Sequence, residues 1–139
     1  MKILKKAFCL FVSMLFLNSC LVDHAYYCEL KFINESSHDI SISSVFLYTK
    51  DYKIKINAGS NISCGQECDG ESPTFKFSRA DVCFDDNTAI SYSELDEPSQ
   101  YNICIEENWT YETDGFHHIW TYIFTDDDFE YAKMLTSNQ

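Results

Sequence analysis

The first chemistry offered by this 139-residue chain lies in its seven cysteines. Cys9 falls inside an apolar leader and Cys20 closes it, which leaves Cys28, Cys64, Cys68, Cys83 and Cys104 for the folded part. Thiols of an exported chain meet oxidising conditions, so disulfide bonding is expected among these five. Five is odd, so at least one thiol stays free or pairs between molecules, and spacing does not choose among the pairings. Cys83 and Cys104 alternate with Val82/Phe84 and Ile103/Ile105, so each points away from the apolar face of its own segment, and a bridge between them is one candidate. A zinc site would have to use Cys64-Gly65-Gln66-Glu67-Cys68 with Cys83 or His117. That gap is wider than the two residues of a zinc knuckle, and no second such pair exists. A thiol–disulfide exchange site would need a two-residue gap ahead of a helix, which is absent. Neither a metal nor a cofactor is expected.

His117 and His118 are neighbours on an expected strand, so they face opposite sides and do not chelate one ion together. His24 and His38 fall in a tether and a turn. The acids form local groups: Asp69/Glu71, Asp85/Asp86, Glu94/Asp96/Glu97, Glu106/Glu107 and Asp126–Asp128. None has the alternating acids, glycine turn and terminal glutamate of a calcium loop. No glycine-rich phosphate loop, nucleophile elbow or His-Glu-x-x-His helix is present, and no catalytic residue is assigned. Trp109, Tyr111, Phe116 and Trp120 gather with Tyr122 around an expected hairpin at 110–118. Exposed, the first four would suit a carbohydrate or peptide ligand; turned inward, they would be core.

Lysine and arginine number 10 against 22 aspartate and glutamate, a formal charge of −12. Phosphate contacts need clustered basic residues, so nucleic acid is excluded as a partner. Lys2, Lys5 and Lys6 precede the apolar run Ala7–Leu17, and losing them with the leader brings the charge to −15. That run is too short for a helix to span about 30 Å of hydrocarbon, and it fits the core of an export signal. The leader ends in Leu17-Asn18-Ser19-Cys20, which resembles the lipobox of bacterial lipoproteins. The resemblance implies cleavage before Cys20, acylation of its thiol and new N-terminus, and stable anchoring by several acyl chains. Residues 1–19 would be signal, 20–27 the lipidated cysteine and tether, 28–135 one domain and 136–139 a frayed tail. The implied place is the cell envelope, at the outer membrane of a Gram-negative bacterium; the leaflet stays open.

Alternation dominates the rest. Strands are expected near 27–33, over Ile40–Ile42 into Val45–Tyr48 with a bend or bulge, and over Tyr52–Ile56. Asn57–Asn61 has turn chemistry, and Cys64–Pro73 is the most loop-like stretch. Phe75 and Phe77 restart the alternation, followed by Val82–Phe84, a turn at Asp85–Asn87 and Ala89–Tyr92. Tyr101, Ile103 and Ile105 suggest another strand, Thr113–Gly115 a turn, and Ile119–Thr125 a long aromatic strand. Thr125 ahead of three aspartates reads as a helix start, with Phe129 and Ala132 facing inward. The expected fold is mainly β: a single antiparallel sandwich, immunoglobulin-like or barrel-like, with a short C-terminal helix.

The second half resembles small lipoproteins of the Bacteroidota type. The similarity rests on Val82-Cys83-Phe84-Asp85-Asp86, Asn102-Ile103-Cys104, and Tyr122-Ile123-Phe124-Thr125-Asp126-Asp127-Asp128-Phe129, within about residues 80–132. It implies a β-rich domain and an envelope compartment, and carries no activity or site residue with it. The leading function class is a non-catalytic binding or accessory module with a protein or carbohydrate ligand. An envelope structural or assembly protein comes second, and a hydrolase third.

Overall fold

The computed structural model describes residues 25–47, 50–68, 73, 75 and 77–137, without the side chains of 44–52 and 68. Eight strands are found among these residues: β1 (Tyr26–Asn34), β2 (Ile40–Leu47), β3 (Lys50–Ile56), β4 (Asn61–Cys68), β5 (Arg79–Phe84), β6 (Ala89–Ser93), β7 (Thr110–Thr113) and β8 (His117–Phe124). A single 3-10 turn, Glu106–Asn108, precedes β7, and helix α1 (Asp126–Thr136) follows β8. The strands form two four-stranded sheets, ordered β4-β1-β8-β7 and β3-β2-β5-β6. The fold is therefore a β-sandwich with a short C-terminal helix, rather than one closed barrel. No helix of the described residues is long and apolar enough to cross a membrane.

One strand pair departs from the antiparallel expectation. β1 and β8 run parallel, with Cys28 opposite His118 and Leu30 opposite Trp120. A short turn can join only antiparallel neighbours, whereas these two strands are separated by most of the chain, so no hairpin dictates their direction. Alternation places Cys28, Leu30, Phe32 and Asn34 of β1 inward, together with His118, Trp120, Tyr122 and Phe124 of β8. Phe32 meets Phe77, Trp109 and Phe124 at ring separations of 5.2–6.4 Å. Each such ring buries on the order of 150–250 Å².

Two segments differ from the sequence reading. Asn61–Cys68 is a strand, paired with β1 from Tyr26↔Cys68 to Ile33↔Asn61, although Cys64–Pro73 reads as loop. It is an edge strand with a single partner, so its outer residues are free to be glycine, serine and glutamate, and no strong apolar alternation marks it. Tyr101–Ile105 is not a strand but a series of turns, closed by Asn102 N–H to Ser99 and Ile105 N–H to Asn102 at 3.1 and 3.2 Å. Its period-two pattern arises because Ile103 is buried while Tyr101 stacks on Tyr131 of the helix at 4.5 Å.

The expected helix start holds. The Asp128 carboxyl accepts the Thr125 backbone N–H at 2.8 Å and the Thr125 hydroxyl at 2.9 Å. Phe129 and Ala132 are buried, and Phe129 packs between the His38 ring at 3.8 Å and Phe84 at 5.4 Å. Helix α1 is thus fixed to the β1–β2 turn at one side and to β5 at the other.

Candidate functional site

Cys20 lies outside the described residues. Cys28 and Cys64 are buried on the inner face of their sheet, whereas His117 lies on its outer face. Cys64 and Cys68 stand four residues apart along one strand, about 13 Å at the usual rise, too far to share a metal ion or a disulfide. Among the described residues no three His, Cys, Asp or Glu side chains are grouped to hold a metal. Cys83 is half-buried on the outer face of β5, its thiol donating to the Phe84 carbonyl at 3.5 Å. Cys104 is buried on the inner side, near enough for its thiol to bond the Ala80 backbone. Those opposite placements rule out the candidate Cys83–Cys104 bridge, and Cys64, Cys83 and Cys104 are all free thiols. The expectation of disulfide staples is corrected there. Burial, with Glu29 adding, pushes the Cys64 thiol up to about 11. Burial, then the charges of Asp96 and Glu94, pushes Cys104 up to about 12. Such thiols are poor nucleophiles and behave as small hydrophobes.

The four aromatics around the hairpin divide. Trp109 is buried and donates its indole N–H to the Ile103 carbonyl at 2.9 Å. Trp120 is buried too, its indole N–H on Glu106 at 3.1 Å. Both are core: β8 turns Trp120 between the sheets, and Trp109, just ahead of β7, packs against Phe32 and Phe77. Tyr111 and Phe116 are 48% and 57% exposed, and they are joined at this end of the sandwich by the half-exposed Tyr27. The Tyr111 hydroxyl is hydrogen-bonded to His118 Nδ1 at 2.6 Å, and its ring lies 5.1 Å from Trp120. On the outer face His117 bonds Glu29 at 2.8 Å and meets Tyr27 edge-on at 5.0 Å. His118 Nε2 is buried with no hydrogen-bond partner among the described residues. This end offers an aromatic rim, and a hollow of about 240 Å³ beside it is lined by Glu112, Thr113, Asp114, His117 and Ile119.

A larger concavity lies elsewhere. A groove of about 430 Å³ runs between β6 and helix α1, floored by the 96–102 loop. Its walls include Ala89, Ser91, Tyr92, Tyr131 and Leu135, with Asp96 and Glu97 at the loop. Ile90 and Tyr92 face inward, opposite Val82 and Ala80, while Ala89 and Ser91 face outward. Residues of both faces line the groove, so it follows the strand's edge rather than one face of the sheet.

The hydrogen-bond phase of β6 decides what that edge presents. Phe84 N–H donates to the Thr88 carbonyl at 2.9 Å, and Glu94 N–H to Ser78 at 3.0 Å. Bonded pairs alternate along an antiparallel ladder, so Ile90 and Tyr92 also turn their backbone groups to β5. Ala89, Ser91 and Ser93 turn theirs to the groove. At Ser93 the edge is already taken: its N–H donates to Asp96 Oδ2 at 2.6 Å, and its carbonyl accepts Asn102 Nδ2 at 2.8 Å. Ala89 and Ser91 keep an open edge among the described residues, since β6 ends its sheet there. In the sequence, Glu94/Asp96/Glu97 is one local acid group among several. Their placement beside an open edge depends on β6 being last in its sheet, which no local signal encodes.

Comparison of the chain with protein-family models, with curated proteins and with solved structures finds no match. The class it defines is that of its own architecture: a β-sandwich whose C-terminal helix flanks an open sheet edge.

Proposed function

We propose that the chain is a lipid-anchored envelope protein acting as a non-catalytic binding module, with the β6–α1 groove as its contact site. The groove carries the reading. It combines a concave volume, an unpaired backbone edge, two carboxylates and an aromatic wall on elements held by a packed core. That combination suits capture of a ligand better than chemistry on one: the free thiols Cys64 and Cys104 are buried with raised pKa values, and the Asp96 carboxylate is occupied by Ser93 N–H. The lipobox-like Leu17–Cys20 supports the anchor.

Two measurements test the two halves. Labelled palmitate should enter the wild type and not Cys20→Ala, and label retained in the variant ends the anchoring reading. For the site, the mature chain in detergent is titrated by NMR with a panel of oligosaccharides and short peptides. At least one compound should shift the amides of residues 89–92 and 131–136 saturably. Shifts confined to Tyr27, Tyr111 and Phe116 would move the site to the aromatic end, and a silent panel would sink the binding reading.

A further inference from the structure

Resting on that reading of the groove, we infer that its ligand is an extended peptide segment carrying lysine or arginine, which adds to the free edge of β6 as a fifth strand of that sheet.

The edge comes first. Ala89 and Ser91 each direct an N–H and a carbonyl into the groove, two residues apart, in the spacing that an extended chain matches with its own backbone. The occupied end at Ser93 fixes where pairing stops, because Asp96 and Asn102 already fill the positions a guest strand would use. Pairing is therefore limited to a short stretch of guest backbone. The opposite wall is α1, with Tyr131 held by stacking on Tyr101 and Leu135 more than a third exposed. A guest strand would lie between strand and helix, its side chains alternating between the Ile90/Leu135 side and solvent.

Charge selects among guests. Asp96 and Glu97 line the closed end of the groove, and Glu94 stands close by in sequence. The whole chain carries −12 before any leader is removed. A second copy would bring the same net charge of −12 to the joint, and like charges at close range oppose that union. A segment with a basic side chain at the Ser93 end places opposite charge there instead.

The test uses the full mature chain in detergent and an acetylated, amidated hexapeptide alternating valine and lysine. Saturable shifts should appear at Ala89 and Ser91 and weaken with salt. The same peptide methylated at every backbone nitrogen should bind at least about tenfold more weakly, because methylation removes the donors and blocks the strand edge. Glu97→Lys should lower affinity by about tenfold while leaving the melting temperature within a few degrees. Four outcomes overturn the inference. They are equal binding of an alternating valine–glutamate peptide, undiminished binding of the methylated peptide, shifts at Ala89 and Ser91 that track protein concentration alone, and groove shifts produced by an oligosaccharide but not by the lysine peptide. The last would leave the groove as a binding site and remove only the peptide.

Discussion

At the scale of single residues, burial decides what each chemistry-bearing side chain can do. The Tyr122 hydroxyl donates to Asp128 Oδ1 at 2.8 Å, deep beneath the helix. Burial, reinforced by the Asp128 charge, holds that hydroxyl far above the ordinary tyrosine range, so it stays a donor at every physiological pH. Tyr122→Phe keeps the ring and deletes that bond together with the hydroxyl's 3.2 Å contact to the Tyr101 carbonyl, leaving Asp128 its two contacts from Thr125. A hydrogen bond to a charged partner is worth about 1.5–3 kcal/mol, and urea unfolding should report a loss in that range. A midpoint indistinguishable from wild type would show that the bond contributes nothing net. The cysteines obey the same logic. Cys64 and Cys104 have raised thiol pKa values and little surface, so Ellman's reagent should leave both untouched in the native protein and titrate both after denaturation. Rapid native reaction at either would contradict their burial. Residue types revealed these candidates in the sequence, but not their burial: nothing local separates the buried Trp109 and Trp120 from the exposed Tyr111 and Phe116.

At the scale of elements, the β1–β2 turn is clamped to its neighbours by carboxylates. Ser37 donates through its backbone N–H at 2.7 Å and its hydroxyl at 2.9 Å to Asp126 of the helix, and His38 is hydrogen-bonded to Asp85 of the β5–β6 turn at 2.8 Å. The bonds from Ser37 hold the Asp126 carboxyl below its usual range, and the bond to His38 does the same for Asp85. A carboxyl depressed in the folded state stabilises above its unfolded value, near about 4, and loses that contribution as the pH falls through its folded value. The melting temperature should therefore drop on acidification below about pH 4. The drop should be shallower in Asp126→Asn, and an identical profile in that variant would remove the clamp from the account. The β1–β4 edge has a different constraint. A Cβ added at Gly65 would sit 2.7 Å from the Cys28 carbonyl oxygen and 2.8 Å from the Tyr27 hydroxyl. Backbone cannot give way as a side-chain tip can, so Gly65→Ala should cost about 1–3 kcal/mol by thermal or chemical unfolding. A neutral substitution would mean that β4 is free to shift. Strands with one wet face and one dry face, such as β5 and β6, and the helix start at Thr125 were legible, because alternation and capping are local. β4 was not, since an edge strand with Gly65, Gln66 and Glu67 needs no second apolar face. Nor was the parallel β1–β8 pair, which joins residues from opposite ends of the chain and leaves no trace in either alone.

At the scale of the molecule, a lipid on Cys20 would dictate which end of the sandwich faces the membrane. Five residues, six steps of chain, separate Cys20 from Tyr26 at the start of β1, so even a fully extended tether reaches only about 22 Å. The start of β1 lies beside the β7–β8 turn, where Tyr27 N–H donates to the Phe116 carbonyl at 2.8 Å. The far end of β1 meets the turn before β4, where Gly59 N–H donates to Asn34 at 2.9 Å and Asn34 N–H to Ser60 at 2.8 Å. The nine residues of β1, eight steps from Tyr26 to Asn34, hold those two ends about 26 Å apart at the usual rise. The hairpin end, with Phe116 exposed, would thus sit near the headgroups, and the Asn57–Ser60 turn would project outward. A donor dye introduced through a bio-orthogonal side chain at Glu112 should transfer energy efficiently to acceptor-labelled lipid in vesicles carrying the acylated protein. The same dye at Ala58 should transfer markedly less, since transfer falls steeply over tens of ångströms. Equal efficiency from the two positions would mean that the domain lies flat on the bilayer or tumbles freely at the end of its tether, and the orientation argued from the tether length would be lost.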